Sequence, residues 1–161
     1  MNSQASTDLP AIRKSNDTFA TFNQIQDMIR ERAFRIFNDR NLNEGDALSD
    51  WLNAESEVLS DIDLKLGEDP CSVVIDGSVK GFLPDEIEVR VKDGVFEVAG
   101  IHTEESSSKE GEVTKAALKQ MSFFRSFKLP DSLNTDKMEV NLDCGRFTAK
   151  IPKVSHEVIQ I

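Results

Sequence analysis

The sequence predicts a mainly-β protein, a sandwich of two sheets preceded by a small two-helix region, on three observations. The spacing of apolar residues changes from helical to alternating around Leu66-Gly67-Glu68-Asp69-Pro70. The dipeptides Asp93-Gly94 and Cys144-Gly145 each separate two alternating runs, as tight hairpin turns do. The alternating runs are short and follow one another closely, which argues for stacked antiparallel sheets rather than βαβ units.

Taken in chain order, residues 1–18 are polar, poor in large apolar groups and interrupted by Pro10, so they read as a flexible tail. From Phe22 onward, Ile25, Met28, Ile29, Ala33, Ile36 and Phe37 recur at three- and four-residue steps and define one face of a helix ending near Arg40. Asn41-Leu42-Asn43-Glu44-Gly45 is turn chemistry. Asp46 then suits the N-cap of a second helix that buries Leu48, Trp51, Leu52, Val58 and Leu59. This helical region covers residues 19–62. Two helices of that size bury little alone, so they pair, dimerise or dock elsewhere.

In the second half, Val73 and Ile75 alternate with smaller or polar neighbours, and Ile87, Val89 and Val91 alternate with Glu88, Arg90 and Lys92. Val95-Phe96-Glu97-Val98 follows the first hairpin turn. Phe123, Arg125, Phe127 and Leu129 share one strand face, which Pro130 closes. Met138, Val140 and Leu142 lead to the second turn, and Phe147, Ala149 and Ile151 leave it. Residues 102–111 read as a polar, Ser/Glu-rich loop. Residues 112–119, with two alanines and three charged residues, have weak β-propensity.

The formal charge of −10 is shared along the chain, residues 1–66 and residues 67–161 each carrying −5. No stretch is basic enough to hold a phosphate backbone, so nucleic acid is not an expected partner. No apolar run approaches the ~20 residues that span a bilayer, and residues 1–6 lack the pattern of a signal peptide. The expected setting is the cytoplasm, with no membrane partner. Cys71 and Cys144 show neither disulfide nor CxxC spacing, and two isolated thiols in strand-like contexts are expected to be buried. His102 and His156 belong to no metal-binding spacing. With no phosphate-binding glycine loop, no GxSxG and no supported Cys–His pair, no catalytic, metal or cofactor site is expected, and the chain is not read as an enzyme.

Four segments in order carry a family resemblance. They are Gly81-Phe82-Leu83-Pro84-Asp85-Glu86-Ile87-Glu88-Val89, Asp93-Gly94-Val95-Phe96-Glu97-Val98-Ala99-Gly100, Phe124-Arg125-Ser126-Phe127-Lys128-Leu129-Pro130, and Cys144-Gly145-Arg146-Phe147-Thr148-Ala149-Lys150-Ile151-Pro152-Lys153. Residues 68–153 resemble the α-crystallin domain of small heat-shock proteins. The resemblance implies an immunoglobulin-like β-sandwich, with residues 154–161 as a C-terminal extension. The family's Ile-x-Ile motif is matched by Ile159-Gln160-Ile161. In an extended segment both isoleucines project to one side, as two apolar knobs for a groove on a neighbouring subunit. Arg125 occupies the position of an arginine at the family's dimer interface. Residues 112–119 lie where bacterial and plant relatives exchange a strand between monomers, and a loop is the other reading. Residues 30–59 resemble a short helical domain of unknown function in bacterial proteins, which suggests a bacterial source.

The function implied is that of an ATP-independent holdase that covers the apolar surface of unfolding clients and assembles into homodimers and higher oligomers. The expected client contacts are Ile25, Met28, Ile29, Phe34, Ile36, Phe37 and Trp51 on the helices. The alternative is a co-chaperone or adaptor module that binds one folded partner. The Ile-x-Ile ending favours self-assembly over that alternative.

Overall fold

The structure is a computed structural model and describes residues 12–15, 19–40, 45–111 and 113–154. Helices α1 (Ala20–Asp39) and α2 (Ala47–Val58) form a hairpin. Asp46 caps α2 as expected: its carboxylate accepts the Ser49 N–H at 2.7 Å. The hairpin is clasped by Arg40, which donates to the buried Asp50 carboxylate at 3.0 and 2.9 Å, and by the Arg32–Glu57 pair.

The strands are β1 (Arg13–Ser15), β2 (Asp63–Glu68), β3 (Ser72–Ser78), β4 (Ile87–Lys92), β5 (Val95–Glu110), β6 (Val113–Lys128), β7 (Glu139–Asp143) and β8 (Arg146–Pro152). They make two four-stranded sheets in the orders β1-β4-β5-β6 and β2-β3-β8-β7. Both predicted turns have two successive positive φ angles, 53° and 76° at Asp93-Gly94 and 51° and 81° at Cys144-Gly145. That is the type I′ pattern, whose twist matches the strands it joins.

Between the sheets lies a core of Val73, Ile75, Ile87, Val89, Phe96, Val98, Phe123, Phe147, Ala149 and Ile151, all fully buried. The alternation predicted for these strands points these residues inward together. Gly77 lets β2 close onto β3, because a methyl group there would overlap the Asp63 carbonyl. A second apolar layer forms on the outer face of the first sheet. There Phe19, Ile25, Ile29 and Ala54 meet Ala99, with Phe22, Trp51, Ile101 and Phe124 packed around them. The molecule is therefore three layers deep: helices, first sheet, second sheet.

Several expectations are corrected. Residues 13–15 are not tail but a strand parallel to β4, with Arg13 opposite Glu88. Ile12 packs on the inner core and Lys14 donates to the Met138 carbonyl at 3.0 Å, which holds that short strand in place. The second sheet starts at Asp63, ahead of the expected boundary, because Leu64 fills the inner core. Residues 102–111 are not a loop: most of them extend β5, paired with β6 out to Glu110 opposite Val113. This ribbon runs on beyond the β4 pairing, which stops at Ile87 opposite Gly100. Cys71 and Cys144 are both exposed. The first sits in a turn where Asp69 accepts its N–H at 2.7 Å, and the second occupies the hairpin turn. Leu48 and Leu52, expected inside, are 67 % and 54 % exposed, since Asp50, Trp51, Ala54 and Val58 form the inward arc of α2.

Candidate interaction surfaces

Phe19 stands at the N-cap of helix α1 and provides no side-chain hydrogen bond there. The sandwich supplies one. The buried Glu88 carboxylate on β4 accepts the Thr21 N–H at 2.8 Å, placing negative charge at the positive end of the helix. Arg13 donates to the Thr21 hydroxyl at 2.8 Å. The Arg90 guanidinium, paired with Glu97 at 2.7 Å, lies 5.0 Å from the centre of the Phe19 ring. These contacts pin the start of the helix to the first sheet and turn Ile25 and Ile29 onto it.

The helical residues singled out from the sequence consequently lie in three settings. Ile25 and Ile29 are buried in the outer layer. Met28, Ile36 and Trp51 are half-buried, Met28 beside Arg32, Val58 and Gln120. Phe34 and Phe37 are open to solvent, Phe34 at 62 %, and Arg40 stands 5.1 Å over the Phe37 ring. The last turns of α1 carry these two rings, and the first turns of α2 carry the exposed Leu48 and Leu52. Large apolar groups thus gather at the connected end of the hairpin. Leu48 and Leu52 were missed as surface residues because small Ala54 gave no sequence signal that it held the inside.

Arg125 is half-buried on β6, the edge of the first sheet. It donates to the Ile62 and Leu64 carbonyls at 2.8 and 3.3 Å, on the edge of the second sheet, and sits 5.1 Å from the Phe127 ring. Within one chain it therefore joins the two sheets along a shared flank. On the opposite flank, two depressions of 290 and 320 Å³ meet at Val91 and Thr135. They are lined by Val89, Met138, Leu129 and Leu133 among others, and β1 borders one of them through Lys14. Ile159 and Ile161 lie outside the described residues.

At the root of the β5–β6 ribbon, both His102 ring nitrogens face carboxylates: Nδ1 faces Glu86 at 2.9 Å and Nε2 faces Glu104 at 3.1 Å. The bond to Glu86, then that to Glu104, holds the imidazole above the usual histidine range. The ring meets Phe82 edge-on at 6.4 Å. Among the described residues no cluster of His, Cys, Asp and Glu could hold a metal ion, and no helix is long and apolar enough to cross a membrane.

Comparison with known proteins agrees with this architecture. A family model described as "Protein of unknown function (DUF2934)" matches residues 24–60, which span the helical hairpin. The chain is 24 % identical over 119 residues to an 18.0 kDa class I heat shock protein of Daucus carota, covering 73 % of this chain and 75 % of that one. It is 30 % identical over 88 residues to a chloroplastic heat shock 22 kDa protein of Chlamydomonas reinhardtii, covering 53 % and 56 % respectively. Among solved structures, a small heat-shock protein from Xylella fastidiosa superposes with a TM-score of 0.50 at 26 % identity, over 63 % of this chain and 94 % of that one. The model of the Hsp20/alpha crystallin family matches residues 65–161, well over half of the sequence and the whole of the sandwich from β3 onward. The chain belongs to the Hsp20/alpha crystallin family.

Proposed function

We propose that the protein is an ATP-independent holdase, a chaperone that covers the apolar surface of unfolding proteins and so slows their aggregation. The observation that carries this reading is the apolar surface of the helical hairpin. Phe34, Phe37, Leu48 and Leu52 stand open at one end, and Ile25, Ile29 and Phe124 form a second store beneath it. Exposed apolar side chains of this size are what an unfolding client can exchange for its own wet surface, at roughly 1.5–3 kcal/mol per side chain fully buried. The net charge of −10 favours solubility of the resulting complexes. The sequence has no phosphate-binding glycine loop, and the proposed action needs no nucleotide.

The working form in this reading is a homodimer or larger assembly acting in the cytoplasm. Ile159 and Ile161 dock on a neighbouring copy, and the flank around Arg125 contributes to the dimer contact. Client capture is tested by heating a thermolabile enzyme such as citrate synthase with and without the protein, no nucleotide added. Suppressed light scattering is the expected outcome; identical scattering curves would sink the proposal. Size measurement on the same sample gives the state of assembly, and a strict monomer argues for the adaptor reading instead.

A further inference from the structure

The pairing of β5 with β4 stops at Gly100 opposite Ile87, the first residue of β4. From Ile101 opposite Ser122 outward, the two strands pair only with each other within the first sheet. His102 stands at this departure point. Its ring bridges Glu86, on the short helical turn Pro84–Glu86 before β4, to Glu104, two residues further along the ribbon. Glu86 is itself fixed, because its Oε1 accepts the Leu83 N–H at 2.8 Å.

This geometry has a protonation requirement. An ionised carboxylate only accepts hydrogen bonds, and a neutral imidazole donates from one nitrogen alone. With acceptors at both nitrogens, only the imidazolium satisfies both contacts; the neutral ring sets a lone pair against one carboxylate. The other groups nearby do not substitute for it. Met121, opposite His102 in the ladder, and Phe82 are uncharged. Lys119 stands opposite Glu104 but is exposed, as is Asp85, the other acid of the short turn.

We propose that His102, with Glu86 and Glu104, is a pH-responsive latch that holds the root of the ribbon to the sandwich most firmly when the ring carries two N–H groups, and loosens it when one is lost and the two carboxylates compete for the single remaining donor. Because the partners raise the folded-state pKa, the stabilisation is complete below the ordinary histidine range. It is lost as pH rises through the folded value. Loosening at this point acts on the ribbon root, while the paired strands of the second sheet are untouched.

The test uses the full chain carrying His156→Gln, which leaves His102 as the one imidazole among the protein's two histidines. Ring signals are followed by NMR against pH, and backbone amide exchange at residues 101–105 and 118–121 is followed on the same samples, corrected for intrinsic exchange. The expected midpoint for His102 lies above the ordinary histidine value, and ribbon protection falls as pH rises from that ordinary value through the midpoint and is level above it, about tenfold in all for each unit of displacement. Protection in Ser72–Ser78 stays level. Glu104→Gln moves both the midpoint and the loss of protection to lower pH, and His102→Gln removes the pH dependence. A His102 midpoint at or below the ordinary value overturns the latch, as does ribbon protection that varies with pH equally in His102→Gln. Should His102→Gln fail to fold, the two profiles of the parent and Glu104→Gln chains decide the matter.

Discussion

The first sheet presents one apolar face to the second sheet and another to the helices, and the two layers it helps build differ in kind. The inner layer is made of branched and aromatic side chains that are fully buried, such as Ile75, Ile87, Phe96, Phe123 and Phe147. The outer layer mixes apolar contacts with polar fastenings. Glu88 receives the start of α1, and the Ser122 hydroxyl donates to the Val58 carbonyl at 2.7 Å. The Ser60 N–H donates to the Ser122 carbonyl, also at 2.7 Å. Strand pairing within both sheets is complete without the helices, whereas each helix depends on the sheet to bury its apolar face. On this contrast the inner layer should be lost only by unfolding, and the outer layer should come away while the sandwich persists. For a chaperone of the proposed kind, that separates what must stay folded from what is offered to a client.

Three substitutions test this contrast. The largest effect is expected for Phe123→Ala, which empties a fully buried site against Phe82 and costs about 3–5 kcal/mol. Urea unfolding followed by far-UV circular dichroism should show the whole molecule destabilised, and Trp51 fluorescence should change in the same transition. Ile25→Ala acts on the outer layer and is expected to cost about 2–3 kcal/mol. Here Trp51, the one tryptophan, should report an early transition at a denaturant concentration where the β signal is still intact. If both probes move together in Ile25→Ala, the two layers are a single cooperative unit and the contrast fails. The smallest effect is a gain. Cys144 holds a φ of 51°, a left-handed conformation that costs an ordinary side chain roughly 1–2 kcal/mol and that asparagine tolerates better. Cys144→Asn should stabilise the sandwich by up to about 1 kcal/mol and widen the gap between the transitions of the Ile25→Ala chain.

What could be read from the sequence was whatever one buried face imposes. Val89 between Glu88 and Arg90, or Phe147 between Arg146 and Thr148, alternates because one side meets the core, and the inner layer was legible for that reason. The outer layer was encoded less plainly. Val98-Ala99-Gly100-Ile101 and Phe123-Phe124 break the alternation, and Ala99, Ile101 and Phe124 are the residues facing the helices. An apolar residue at a position expected to be polar was the available sign that the sheet is covered twice. The distal ribbon gave no such sign, since backbone pairing alone leaves composition free. Helix α2 was misread because its inward arc includes Asp50, which Arg40 makes acceptable inside, so the leucines had seemed the better candidates. The Glu88 cap on α1 was beyond reach, because it joins residues 67 positions apart.

The helical hairpin is preceded by β1 on one flank of the sandwich and followed by β2 on the other. It is therefore a strap tethered at both ends, not an arm attached at one. Undocking it does not let it diffuse away, and its effective concentration over the first sheet stays high because both attachments are short. A segment held in this manner re-covers the sheet rapidly once a competitor leaves, with rebinding an intramolecular event that does not slow on dilution.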